Sequence, residues 1–528
     1  ALIGLTGTFS ALFIKWIDLR IGFINSFALS PIALFHFLLV GAFLAYCHGS
    51  QTLSYNDLVT LCLLAIAAAC FALDLVPFNI NVFLWKFIVS SLIGAVIALV
   101  VPIKWPCAPL LTGYFLLFIT LVSSDRSRSA LIASFCGATF GAALFIFATS
   151  DIGIGTIISY SDLFRAMSTP DNFAHHTPSE LIKMYPLSIY RRILELFQFP
   201  STLAALMLPF VIAVVSAVSN GRAEWGLLRG GLIISSIAFF SIFVSETPDW
   251  AWHHVYYFHR YNIADLQTFT FVFAWIAACC CFFLKKNVIP KHEAIILIRL
   301  ALLLAALPAV GSIGTNNPLL TQFIRHMGPL FAALAVTAAF LGLAARWRSF
   351  AAVVCAAIAS LSAAQFAFVL LYYPYRLAAP GVSQTVALTE PKHMTGLKVD
   401  AQTHTFIDRL LTEARRVVGD TTGTPMLALF DIPGVVYILD GVSVGSSWHG
   451  TFDSEGATCQ RIQSDPLSRT GLRLVVFDRD EISASLRECI GKAGIDLSKY
   501  QERARIEIPN DVLSKSNGRS LRLLKPKM

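Results

Sequence analysis

Charge is what this sequence has least of. Only 14% of its 528 residues are Asp, Glu, Lys or Arg, where a soluble protein carries about a quarter. A polar surface cannot be built from so little charge over residues 1–375, which excludes a large soluble protein. The formal net charge of +8 is not gathered into a basic stripe, and without one nucleic acid is excluded as a partner. Residues 398–528 lack a glycine-rich phosphate loop, metal-ligand spacing and a nucleophile elbow. Nothing in that part points to nucleotide or triad chemistry.

What is present in quantity is apolar sequence: 56% of the residues are hydrophobic and the mean hydropathy is +0.67. Runs such as Leu203–Ser219, Phe269–Leu284 and Phe331–Ala345 approach the ~20 apolar residues that cross a bilayer core. Candidate spans fall at about 1–18, 28–47, 57–75, 82–102, 107–123, 129–149, 201–219, 228–245, 266–284, 294–312, 327–345 and 350–373. The expected fold class is therefore an α-helical polytopic membrane protein of about 12 transmembrane helices. After Tyr375 the composition changes. Residues 376–397, rich in Pro, Gly, Ser and Thr, read as a linker, and 398–528 read as a small C-terminal α/β domain. In that domain Thr405–Val418 and Glu481–Lys492 have helical spacing, whereas Met426–Phe430, Leu472–Phe477 and Arg505–Ile508 read as strands.

Orientation follows from the basic residues. Arg126 with Arg128, Arg222 with Arg229, Lys285 with Lys286 and Lys291, and Arg346 with Arg348 occupy every second connection. The positive-inside rule makes these cytoplasmic. Residues 150–200, 246–265, 313–326 and everything after 373 then face outward, from a cytoplasmic (inner) membrane. Counting back from Arg126 places Ala1 outside. Two readings follow: a further span upstream of Ala1, or a re-entrant segment near Asp74–Lys86. Nine of the eleven cysteines lie in or beside apolar spans. The remaining two, Cys459 and Cys489, are either a disulfide formed in an oxidising compartment or two unrelated buried thiols.

Chemistry-bearing residues collect in the outward loops. The long outer loop 150–200 holds Asp171, His175, His176, Glu180, Arg191 and Arg192, and its segments Ser179–Tyr185 and Ile189–Phe197 have the pattern of helices lying in the headgroup layer. The stretch ETPDWAWHHVYYFHRYN, Glu246–Asn262, sets Glu246, Asp249, His253, His254 and Arg260 among Trp250, Trp252 and other rings. The rings fit an interfacial aromatic belt. The acids and Arg260 are what such a belt leaves unexplained. In the third loop Asn316 and Asn317 offer amides, and Arg325 and His326 sit where the chain re-enters the membrane. An arginine at that depth needs an anionic partner: a lipid headgroup, or a substrate phosphate matched to its planar fork. Metal ligands are not assigned. Adjacent histidines on a helix diverge by about 100°, although a single His with a carboxylate from another loop can hold a divalent cation such as Mg or Mn. Within the spans, His36, Asp74 and Lys86 stand out, and a His36–Asp74 pair would favour transport.

This arrangement of many spans, a long outer loop with amphipathic segments and an outer C-terminal domain resembles the GT-C class of membrane glycosyltransferases. The resemblance implies a polyprenyl-phosphate-linked sugar donor, a glycan, lipid or protein acceptor, and membrane lipids around the site. The class carries its catalytic Asp or Glu in the first outer loop. This sequence departs from that pattern: Asp18 falls on the cytoplasmic side and Asp57 lies at an outer edge. Candidate acids are thus Asp57, Asp171, Glu246 and Asp249. Arg260, Arg325, His326, His253, His254, Trp250, Trp252, Asn316, Asn317, Arg191 and Arg192 are candidates for phosphate or sugar. Two other classes remain open, a transporter or flippase of an amphipathic substrate and a non-catalytic scaffold for envelope assembly.

Overall fold

A computed structural model describes residues 1–21, 30–44, 55–76, 80–104, 106–123, 128–149, parts of 183–194, 200–218, 258–284, 290–313, 319–347, 349–372 and most of 381–527. The chain divides into two compact units, one drawn from Ala1–Asp151 and Met184–Leu370, the other containing Leu371–Met528.

The first unit is helical. In chain order it contains α1 (Leu2–Ile21), α2 (Pro31–Phe43), α3 (Tyr55–Asp74), α4 (Val82–Lys104), α5 (Cys107–Leu121), α6 (Arg128–Thr149), α7 (Pro200–Val218), α8 (Phe258–Leu284), α9 (Lys291–Ser312), the short α10 (Leu319–Phe323), α11 (Met327–Ala344) and α12 (Phe350–Tyr372). Among the described residues six helical stretches are long and apolar enough to cross a membrane, and five further apolar helices are shorter. The apolar run 228–245 lies outside the described residues. Within Asp74–Lys86, Asp74 ends α3 and Val82 begins α4, two helices that pack as neighbours, while residues 77–79 lie outside the described residues.

A helix that is apolar on every side must be enclosed by protein or lipid, and α11 is enclosed by protein: the stretch Ile324–Ala344 is 94% buried. Around it stand α2, α3, α7, α8 and α9. Its alanines, such as Ala332, Ala335 and Ala339, let neighbouring backbones approach closely, the usual route to helix association where lipid supplies no hydrophobic drive. A second close approach joins α4 to α6. A Cβ added at Gly94 would stand 2.5 Å from the Phe135 carbonyl oxygen, so this crossing requires glycine. On the outer sides of the same helices Phe83, Phe87, Phe140 and Phe145 are exposed. That is costly in water and suited to lipid.

Two polar connections close the end of the unit where α3 finishes. Asp74 accepts hydrogen bonds from the Trp16 indole (2.9 Å) and from the Ser123 hydroxyl (2.8 Å). The Trp85 indole donates to the Ala72 carbonyl at 2.7 Å. These contacts staple α1, α3, α4 and the end of α5 together. They, and not His36, are what the structure places at Asp74. His36 is exposed on α2, with Nδ1 2.8 Å from the Ile32 carbonyl of its own helix.

The C-terminal unit is an α/β fold. Strands β3 (Pro425–Leu429), β4 (Val442–Ser443), β5 (Leu474–Phe477), β6 (Tyr500–Glu507) and β7 (Ser520–Pro526) form one sheet in the order β4-β3-β5-β7-β6. β3 runs parallel to β4 and β5, while β7 is antiparallel to β5 and β6. Helices α13 (Ala401–Val418), α14 (Pro433–Ile438), α15 (Glu455–Ser464) and α16 (Ala484–Lys492) complete it. Alternation along the central strands explains the layering. Met426, Ala428, Leu474 and Val476 join a core with Leu410, Ala414 and Val436 of α13 and α14, whereas Leu427, Leu429, Val475 and Phe477 join Ile462, Leu486 and Ile490 of α15 and α16. Strands covered on both faces read as continuous apolar runs, which is why LRLVVF is legible as a strand.

Two details depart from the sequence expectation, and a third decides between its alternatives. From Gly381 onward the supposed linker is folded: β1 (Val386–Ala387) pairs antiparallel with β2 (Lys398–Val399), and Leu388 is buried in the core. The Pro-Gly pair at 433–434, which in the sequence reads as a turn directly after a strand, begins α14. Cys459 on α15 and Cys489 on α16 are joined in a disulfide with a Cα–Cα distance of 5.7 Å.

Candidate functional site

Where α3 begins, the same unit gathers the ends of five elements around buried polar groups. Asn56 and Asp57 in the first turn of α3 stand four and three residues before Thr60, so each neighbours Thr60 on the helix surface. Thr60 Oγ1 lies 2.9 Å from the Asn56 carbonyl, 3.0 Å from the Arg325 carbonyl and 2.8 Å from His326 Nδ1. Arg325 and His326 form a tight 3-10 turn at Ile324–His326 that leads into α11. The start of α3 is thereby locked to the start of α11.

Lys104, the last residue of α4, completes the group. It is 6% exposed, and its Nζ donates to the Gly311 carbonyl at 2.6 Å and to Asn56 Oδ1 at 3.3 Å. Cys107, opening α5, points its sulfur toward the carbonyls of Gly311 (3.8 Å) and Ile313 (3.6 Å). Gly311 is glycine for steric reasons. A Cβ there would meet His326 Cδ2 and Leu63 Cδ1 at 2.7 Å and His326 Nε2 at 2.8 Å. His326 is fully enclosed, and its Nε2, packed against Gly311, makes no well-formed hydrogen bond among the described residues. Lys104 and Arg325 interact electrostatically with each other and with His326. Asp57 and Arg325 are half-buried, whereas Asn56, Thr60, Lys104 and His326 are buried.

Helix direction adds to the electrostatics. The last carbonyls of α4 and α9 carry partial negative charge and help to hold Lys104. The amino ends of α3, α5 and α11 bring partial positive charge to the same end. The basic residues Lys291 and Arg346 lie at the opposite ends of α9 and α11, so helix direction separates them from this cluster.

Of the candidates named from sequence, Asp57 lies in the helix turn that packs on the turn of Arg325 and His326. Arg191 is exposed in the helical part of 183–194, where Tyr185 and Ile189 pack on the helical core. Arg260 falls in the first turn of α8, which begins at Phe258, earlier than the expected span at 266. Glu246, Asp249, Trp250, Trp252, His253, His254, Asp171, Asn316, Asn317 and Arg192 lie outside the described residues. Among the described residues no group of three or more His, Cys, Asp or Glu is placed to hold a metal ion. Sequence reasoning missed Asn56, Thr60 and above all Lys104. The usable signal was a lone lysine at the end of a span where the charge alternation expects few basic residues.

In comparisons with known proteins, no family model, no curated protein and no solved structure matches the chain.

Proposed function

We propose that this protein is a multi-pass enzyme of the cytoplasmic membrane that transfers a sugar from a polyprenyl-phosphate-linked donor to a glycan, lipid or protein acceptor at the outer face. The observation that supports the reading is the lock between the start of α3, whose first turn carries Asp57, and the 324–326 turn, which carries Arg325 and His326. Asp57 takes the acceptor hydroxyl proton as general base. Arg325 holds the donor phosphate through its guanidinium fork, with His326 fixed behind it by Thr60.

The six long and five shorter apolar helices support a polytopic membrane protein, and the run 228–245, read from sequence alone, would bring the count to about twelve spans. The Cys459–Cys489 disulfide supports an outer, oxidising location for the C-terminal domain. A divalent metal, Mg or Mn, is an open part of the proposal.

The test is turnover. Purified protein in detergent, given a polyprenyl-phosphate sugar with Mg or Mn or with EDTA, should release polyprenyl phosphate, and Asp57→Asn should abolish release. Failure to consume any donor, together with substrate accumulation in sealed vesicles, would replace this reading with transport.

A further inference from the structure

Helix α14 carries an aromatic ring that its own domain does not bury. Tyr437 is 60% exposed, and among the described residues of the C-terminal unit it is the one aromatic side chain that stands so far out. Its ring is nonetheless fixed on one side. The His393 ring lies against it at a centroid distance of 4.6 Å with the planes 74° apart, and His393 Nε2 donates to the Tyr437 carbonyl at 2.8 Å. A T-shaped neighbour covers at most one face of a phenol ring. Beside the ring the helix surface is bare. Gly434, three residues earlier on α14 and so next to Tyr437, is exposed and has nothing within 4 Å of the place where a Cβ would stand.

Polar groups border this open face. Asp440, just past α14, takes the left-handed backbone position with φ 52°, where glycine is the usual choice. Its amide donates to the Tyr437 carbonyl at 3.1 Å and its carbonyl accepts from the Gly423 amide at 2.8 Å. These bonds hold the residue so that its carboxylate Oδ1 stands 3.8 Å from His393 Nδ1, too far for a direct hydrogen bond. With hydrogen on Nε2, the neutral imidazole presents Nδ1 as an acceptor beside an acceptor carboxylate. Two acceptors at the edge of an aromatic face match a ligand with an apolar face and a rim of hydroxyl donors, which is the chemistry of a pyranose ring. An anion would be repelled by Asp440. A stable protein interface buries roughly 800 Å² on each side, far more than one ring and one glycine offer. We propose that Tyr437, His393 and Asp440 form a carbohydrate-binding site in which a neutral pyranose lies on the open face of Tyr437 and its hydroxyls donate to Asp440 and His393 Nδ1. The site stands on this geometry. Only the further step, that its glycan is the acceptor of the transfer, rests on the transferase reading above.

The full-length protein, in a detergent whose headgroup carries no sugar, is titrated by calorimetry with maltotetraose and with chitotetraose up to about 10 mM, a range that reaches the weak affinities of a small open site. At least one glycan should bind. Tyr437→Ala should weaken binding roughly 10-fold or more, whereas Tyr437→Phe keeps the ring and should bind as wild type does. Asp440→Ala should also weaken it roughly 10-fold, the size of a hydrogen bond to a charged group. Gly434→Leu reaches into the open space beside the ring, so it should abolish binding without lowering Tm. No binding of either glycan overturns the proposal, as does unchanged affinity in Tyr437→Ala, Asp440→Ala or Gly434→Leu. Should Tyr437→Ala not fold, Gly434→Leu decides. The two readings fail separately. Tyr437-dependent glycan binding in a protein that turns over no donor removes the transferase alone, and donor turnover without glycan binding removes this site alone.

Discussion

Thr60 and His326 meet side chain to side chain, Oγ1 to Nδ1 at 2.8 Å, although 266 positions separate them in the chain. A hydroxyl has one proton to donate, and Thr60 faces three acceptors: the carbonyls of Asn56 and Arg325 and the imidazole nitrogen. When the proton goes to a carbonyl, His326 Nδ1 must itself carry hydrogen and donate back to the hydroxyl. Thr60→Val keeps the shape and removes both roles. It should destabilise the protein by about 1–3 kcal/mol, the cost of orphaning a buried polar group, and Thr60→Ser should restore most of it. Thermal unfolding in detergent reads both variants.

Gly311→Ala puts a methyl group where His326 and Leu63 already are. The imidazole must move, and with it the Gly311 carbonyl that holds Lys104. Overpacking of this kind costs about 1–3 kcal/mol. The expected result is a lowered Tm in thermal unfolding in detergent.

In the C-terminal domain the disulfide between Cys459 and Cys489 closes a loop with a sequence separation of 30. Chain-entropy reasoning gives such a cross-link roughly 3–4 kcal/mol. A reducing agent, or Cys459→Ala with Cys489→Ala, should lower the unfolding midpoint of this domain, and the double variant should no longer respond to reductant. Calorimetry with and without reductant measures the difference.

Asp400 caps α13. Its side chain accepts from the Gln402 and Thr403 amides, each at 3.0 Å, and from the Thr403 hydroxyl at 2.6 Å. Burial by itself would raise its pKa, but the hydrogen bonds from Thr403, Gln402 and Gln384 outweigh it and leave the carboxyl below the ordinary carboxylate value. A pKa lower in the folded state means that stability is present above the unfolded value, ~3.9 for Asp, and is lost as pH falls through the folded value. Wild-type protein should lose stability as pH falls below about 4. Asp400→Ala should be less stable by about 0.5–2 kcal/mol at neutral pH and show a smaller acid loss. Chemical denaturation at pH 7 and pH 3 checks the sign.

Hydropathy and charge, read along the chain, determined that this protein is built of apolar helices with a small α/β domain at its C-terminal end, and placed α1–α7, α9, α11 and α12 to within a few residues but began α8 late and missed α10, α14 and α15. They did so because a span or a buried strand is a local property: some twenty apolar residues, or a short apolar run between turn residues, announce themselves wherever they fall. Arg325 and His326 were legible because polar groups at a membrane boundary are conspicuous. Tertiary structure alone decided which helices are neighbours. An amphipathic helix names its buried face, but α11 is apolar on every side and names none. That Asn56, Thr60 and Lys104 meet Gly311 and the 325–326 turn, that Trp16 and Ser123 serve Asp74, and that Cys459 finds Cys489 all depend on packing between elements distant in sequence. The physical reason is that one buried polar group needs one particular partner, and its own surrounding sequence does not carry that partner's address.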